Sequence, residues 1–118
     1  MRGACSFCRK RRELVPIGRY GGGTYRRGGR TYWGGICEED ALRLAVSGWG
    51  QSSSSRYSVS GLRSAVETFS GWSRERTEEF LTDQNRKHWE VLNAREHPWQ
   101  SGHYDPWPDY VAAKGSEG

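Results

Sequence analysis

The chain has 118 residues, 34% of them hydrophobic, with 16 Gly and a formal charge of +4. That length suits one small domain with a thin apolar core, which a metal, a disulfide or a partner must reinforce. Three cysteines exclude a complete disulfide framework, and no apolar run approaches the length of a membrane span.

The first element is a Cys-x-x-Cys turn, Cys5 and Cys8, followed by the run Arg9-Lys10-Arg11-Arg12. Leu14-Val15-Pro16-Ile17 predicts a short strand, with Pro16 placing it at a sheet edge. Thr24 to Arg27 and Arg30 to Trp33 are β-prone pieces around Gly28-Gly29, which predicts a glycine-looped hairpin. A helix is expected from about Glu38 to Ser47. Its first turn carries Glu38, Glu39 and Asp40, where the helix dipole favours acids. Leu42, Ala45 and Val46 form its apolar stripe, and Gly48 stops it.

The four serines between Gln51 and Arg56 read as a linker. A second helix is expected over 61–70, with Leu62, Ala65, Val66 and Phe69 on one face and Gly71 ending it. Ser73 would cap a third helix reaching about Arg95, with Phe80, Leu81, His88, Trp89 and Leu92 as its stripe. From Trp99 on, the chain is rich in Pro and aromatic residues without periodicity, and an extended tail is expected. The division that follows is a metal-binding module over 1–50, a helical part over 51–97 and a tail over 98–118.

The chemistry centres on the cysteines. Cys-x-x-Cys presents two thiolates to one ion, and Cys37-x-x-Asp40 repeats that spacing at a helix start. Twenty-eight residues separate Cys8 from Cys37, enough for the hairpin. Cys5, Cys8, Cys37 and Asp40 are therefore the candidate ligands of a Zn2+ ion. His88, His97 or His103 stands as an alternative fourth ligand, with Asp40 then an ordinary first-turn acid. Free thiols, a disulfide between two of the three, or a redox Cys-x-x-Cys beside the basic run are the competing readings.

The order of knuckle, hairpin and helix with ligands at its start resembles the treble-clef zinc fingers. The resemblance covers residues 5 to about 47 and departs from the family at Asp40, where the pattern has Cys or His. Joined to the two further helices and the extended tail read above, it gives an expected α+β fold led by a zinc-stapled module.

Charge points to a partner. Residues 1–36 hold nine Lys/Arg against one acid, a formal +8, and residues 37–118 hold nine against thirteen, a formal −4. Arg outnumbers Lys fifteen to three, and guanidinium grips phosphate in a bidentate way. Arg9, Lys10, Arg11, Arg12, Arg19, Arg26, Arg27 and Arg30, interleaved with Tyr20, Tyr25, Tyr32 and Trp33, form a candidate nucleic-acid surface for DNA or RNA. In composition the chain resembles accessory proteins of phages that infect GC-rich bacteria. A protein–protein adaptor or inhibitor is the rival. It would use the acidic half and Trp99, Tyr104, Trp107 and Tyr110 against a partner such as a polymerase or ribosomal component. A metal-dependent nuclease would need a His near the hairpin, and all three His follow residue 87. A non-catalytic binding protein is the expectation. The polar start predicts no signal peptide, which points to a soluble protein in a reducing cytoplasm, away from membranes.

Overall fold

The computed structural model describes residues 2–5, 7–17, 25–27, 30–32, 34–48, 59–94 and 104–117. In chain order these form β1 (Arg2–Ala4), β2 (Arg11–Ile17), β3 (Tyr25–Arg27), β4 (Arg30–Tyr32), β5 (Gly34–Cys37), α1 (Glu38–Gly48), α2 (Val59–Ser70), α3 (Arg74–Asn93) and α4 (Trp107–Glu117). The fold is α+β, as expected.

β2 lies between β1 and β5 in a three-stranded antiparallel sheet. Arg2, Gly3 and Ala4 oppose Glu13, Arg12 and Arg11. On the other side Leu14 opposes Cys37 and Pro16 opposes Gly35. The expected edge position of Pro16 holds for half of the strand. β1 ends its pairing at Glu13, so Pro16, which has no N–H to give, has one partner strand among the described residues. The expected hairpin is the separate pair β3–β4, with Arg27 opposite Arg30.

β5 runs into α1 without a linker. The acids of the first turn of α1 face its positive dipole end. Its buried residues Ala41, Leu42, Ala45 and Val46 make one stripe. α2 answers with Leu62, Ala65 and Val66. Gly71 closes α2 at φ +76°, a left-handed position that suits glycine, and its N–H donates to the Glu67 carbonyl at 2.8 Å.

α3 starts where the sequence placed it. Ser73 is the N-cap, and its hydroxyl accepts from the Arg76 N–H at 3.1 Å. The stripe differs from the expected one. Thr77, Phe80, Leu81 and Gln84 are buried, whereas Trp89 is 40% exposed and His88 is half-buried. Two polar residues enter the core because each has partners. Thr77 Oγ1 donates to the Ser73 carbonyl at 2.9 Å, and Gln84 bonds Asp109 and Tyr104. At the far end of α1, Asn85 Nδ2 donates to the Val46 carbonyl at 2.6 Å, satisfying a helix-end acceptor.

The expectation of an extended tail is corrected by α4. Pro108 falls in the first turn, where a missing N–H costs nothing, and Asp105 Oδ1 accepts from the Trp107 N–H at 3.1 Å. Tyr110 is buried against Trp72 and Phe80, with ring centroids 5.5 and 5.9 Å away. Its hydroxyl donates to Glu38 of α1, and Lys114 Nζ donates to the same carboxylate at 2.6 Å. Burial, with the Glu38 carboxylate adding to it, raises the Tyr110 pKa far above its ordinary range. The Ser-rich linker expected at 51–56 lies outside the described residues. No helix among the described residues is long and apolar enough to cross a membrane.

Candidate metal centre

The turn after β1 is closed by its own backbone. Cys5 N–H donates to the Lys10 carbonyl and Arg9 N–H to the Cys5 carbonyl, both at 3.0 Å. The Phe7 N–H reaches back to Cys5 Sγ at 3.4 Å, the amide-to-sulfur contact that a thiolate would strengthen. Arg9 holds φ 63°, which turns the chain out of the loop and into β2. Leu14 is hydrogen-bond register partner to Cys37, so the sheet itself carries the third sulfur back to the knuckle.

Cys5, Cys8, Cys37 and Asp40 converge, their donor atoms all within 4.8 Å of one another. Cys5 Sγ and Cys37 Sγ donate to Asp40 Oδ2 at 3.1 and 3.2 Å, and the sulfurs of Cys8 and Cys37 are 4.0 Å apart. All three cysteines are free, and Cys5 and Cys37 are fully buried. A tetrahedron with zinc–sulfur bonds of about 2.3 Å has sulfurs about 3.8 Å apart, so the quartet fits a metal in spacing as well as in donor chemistry. The fit does not by itself select the ion.

The electrostatics agree. Burial first, then the bond to Asp40 and its negative charge, push the Cys37 thiol up to about 12, against the pull of the Asp40 backbone N–H. Burial alone would raise Asp40 too. The thiol hydrogen bonds from Cys5, Cys37 and Cys8, with the Arg12 charge, outweigh it and hold the carboxyl below its ordinary value. Three thiols and an ionised carboxylate thus crowd together, an arrangement that a bound cation would stabilise.

The structure brings together all four residues that the spacing singled out. His88 is elsewhere, its ring edge-on to Trp89 on α3, and His97 and His103 lie outside the described residues. The basic run divides. Arg12 turns to the centre, with Nη1 3.8 Å from Cys37 Sγ and 3.4 Å from Glu39 Oε1. Arg9, Lys10 and Arg11 are exposed. Arg26, Arg27 and Arg30 belong to β3 and β4, and Arg19 lies outside the described residues. Of the tail aromatics, Tyr110 is buried, Trp107 and Tyr104 pack against the core, and Trp99 lies outside the described residues. A cavity of about 370 Å³ beside Cys37 is walled by Phe69 and Trp107 together with Arg12, Glu13 and Glu38. The sequence reading passed over Phe7, an aromatic inside the Cys-x-x-Cys turn that is 40% exposed. Its place between two candidate ligands was the available signal.

Comparison with protein-family models, with curated proteins and with solved structures gave no match to this chain.

Proposed function

We propose that the protein is a zinc-stapled, non-catalytic nucleic-acid-binding module of treble-clef type. The observation that carries this is the donor quartet standing directly beside the exposed cations Arg9, Lys10 and Arg11. Three thiols and one carboxylate suit a borderline-soft ion that accepts tetrahedral coordination, which favours zinc over magnesium or calcium. Such an ion, when bound, supplies a cross-link between the knuckle and the β5–α1 junction.

The residues of the chain do the rest. Backbone hydrogen bonds fix the knuckle, so its cations are presented on a short, closed turn rather than on a free loop. Arg12 sits over Cys37 and offsets negative charge in the donor cluster. Arg9, Lys10 and Arg11 then face phosphate, and the acidic helical half keeps the polyanion to one side. The adaptor reading has less surface to work with, because Tyr104, Trp107 and Tyr110 are engaged inside the chain.

Two measurements test the reading. Native mass spectrometry of protein purified without added metal is expected to show one zinc, lost in Cys37→Ser. Affinity for DNA or RNA is expected to fall steeply with salt, and each of Arg9→Ala, Lys10→Ala and Arg11→Ala to reduce the salt slope by about 1. Absence of binding to any nucleic acid at low salt overturns the proposal.

A further inference from the structure

The sequence offers Cys5 and Cys8, close together in one turn, as the natural dithiol. The fold arranges the sulfurs otherwise. Cys5 Sγ donates to Asp40 Oδ2 at 3.1 Å and accepts from the Phe7 N–H at 3.4 Å. Cys8 Sγ lies 4.0 Å from Cys37 Sγ, across the gap between the knuckle and the end of β5. Cys8 is half-buried, whereas Cys5 and Cys37 are fully buried. We propose that Cys8 and Cys37 form a redox switch: a hydroperoxide oxidises them to a disulfide, and the donor quartet then gives up its metal. The pairing rests on the geometry of the thiols, and the release rests on the zinc reading above.

The reaction begins at Cys8, the sulfur within reach of solvent. That sulfur attacks one oxygen of hydrogen peroxide, the O–O bond breaks, a sulfenic acid forms and water leaves. Cys37 Sγ then attacks the Cys8 sulfur, the S–S bond forms and the hydroxyl leaves as a second water. Over both steps two thiols give up two electrons and two protons, and one peroxide becomes two waters. The sulfurs must close from 4.0 Å to about 2.05 Å. Cys8 sits in the turn outside β1 and β2, so the knuckle can make that movement without unpairing either strand. Arg12 Nη1, 3.8 Å from Cys37 Sγ, offsets negative charge on the attacking sulfur.

Asp40 gives the switch a single end point. A site of four cysteines could pair off completely, whereas here Cys5 is left over once Cys8 and Cys37 are joined. Cys5 and Asp40 are then two donors where a closed zinc site needs four, so metal affinity collapses. The disulfide spans the same two segments that a bound ion would tie, the knuckle and the β5–α1 junction. Oxidation therefore exchanges one staple for another. A Cys5–Cys8 disulfide would link no separate segments. A dithiol reductant reverses the step by thiol–disulfide exchange and ends as a disulfide itself.

The experiment treats reduced protein, purified without added metal, with increasing hydrogen peroxide. Native mass spectrometry follows the bound metal. Peptide mapping after alkylation locates the disulfide, with a digest that cuts after Phe7 to separate Cys5 from Cys8. Expected are a Cys8–Cys37 disulfide, an alkylated Cys5, loss of one metal ion in step with the disulfide, and recovery of thiols and metal with dithiothreitol and zinc. In protein stripped by chelator, Cys5→Ser is expected to form the link as fast as wild type, and Cys8→Ser to lose thiol at least about ten-fold more slowly. A Cys5–Cys8 or Cys5–Cys37 disulfide as the main product overturns the proposal, as does oxidation to sulfinic acid without any disulfide. Thiols that survive a large excess of peroxide overturn it as well. A Cys8–Cys37 disulfide in protein that never held metal bears out the switch pair and overturns the zinc reading. A disulfide formed with the metal retained overturns the release alone.

Discussion

Among the described residues, 2–37 contribute Cys5, Leu14, Ile36 and Cys37 to the buried apolar core, whereas the helices contribute ten residues from Ala41 to Tyr110. The β half is organised around four polar donors, and the helical half around a packed interior with an aromatic cluster at its end. The first half is basic and presents exposed cations. The second is acidic, and much of its surface charge is paired along helix faces, as in Arg86 with Asp83 and Glu90. A small chain has divided the work: a cluster of four donors able to hold a metal ion organises the sheet side, and apolar burial organises the helices. α1 belongs to both, with Asp40 in the donor quartet and Leu42, Ala45 and Val46 in the core.

Metal removal is the strongest way to break this comparison. On the proposed zinc site, excess chelator at neutral pH is expected to raise amide exchange across 2–17 and 34–37 by orders of magnitude, since structural zinc is worth on the order of 10 kcal/mol to a small site. α2 and α3 should keep most of their protection. Simultaneous loss in both halves, read by hydrogen-exchange mass spectrometry, would show that they stand or fall as one unit.

Next comes the opposite perturbation. Leu81, fully buried, is expected to cost about 2–5 kcal/mol when truncated to Ala, measured by urea unfolding. Metal stoichiometry in the native protein should stay unchanged. A smaller effect follows at the α2–α3 turn. Gly71→Ala meets no neighbouring atom within 4 Å, so its expected cost of about 1 kcal/mol is the strain of a Cβ at positive φ alone. A cost near zero would show that this turn can relax without disturbing either helix.

The smallest effect concerns how α4 is held. Hydrogen bonds from Gln84 and Lys87 hold the Asp109 carboxyl below its ordinary value of 3.8. A depressed carboxylate stabilises the fold above its unfolded pKa, and that contribution is lost as pH falls through the lower folded value. Asp109 is largely exposed, so the stabilisation is under about 1 kcal/mol. Asp109→Asn should therefore lower the urea midpoint at pH 7 and converge with wild type as the pH drops below about 4. A gap that persists in acid would mean that the contribution is not the charge of Asp109.

The local devices were legible from residue types. The convergence of Cys5, Cys8, Cys37 and Asp40 follows from spacing, because two residue pairs three apart suit the geometry of one metal ion. Ser73 and Gly71 follow from capping rules that act within a few residues. What escaped depends on contacts between distant segments. Thr77 and Gln84 look like surface residues until Asp109 and Tyr104 arrive to satisfy Gln84. α4 reads as irregular because Pro106 and Pro108 are strong breakers, and because its hold comes from Tyr110 reaching Glu38 across the fold. Arg12 belongs to the basic run in sequence, yet pairing of β2 with β5 turns it to Cys37.

The one-sided placement of the buried apolar residues has a thermal consequence. Heat-capacity change on unfolding scales with apolar surface exposed, and polar donors contribute little or even negatively. Among the described residues, most of it therefore resides in the helices. Cooling weakens apolar burial, and the bonds to an ion held by the donor quartet would be largely untouched. The helical support, which dominates at ambient temperature, is the part of this molecule that should loosen first toward the freezing point, while the knuckle stays shut.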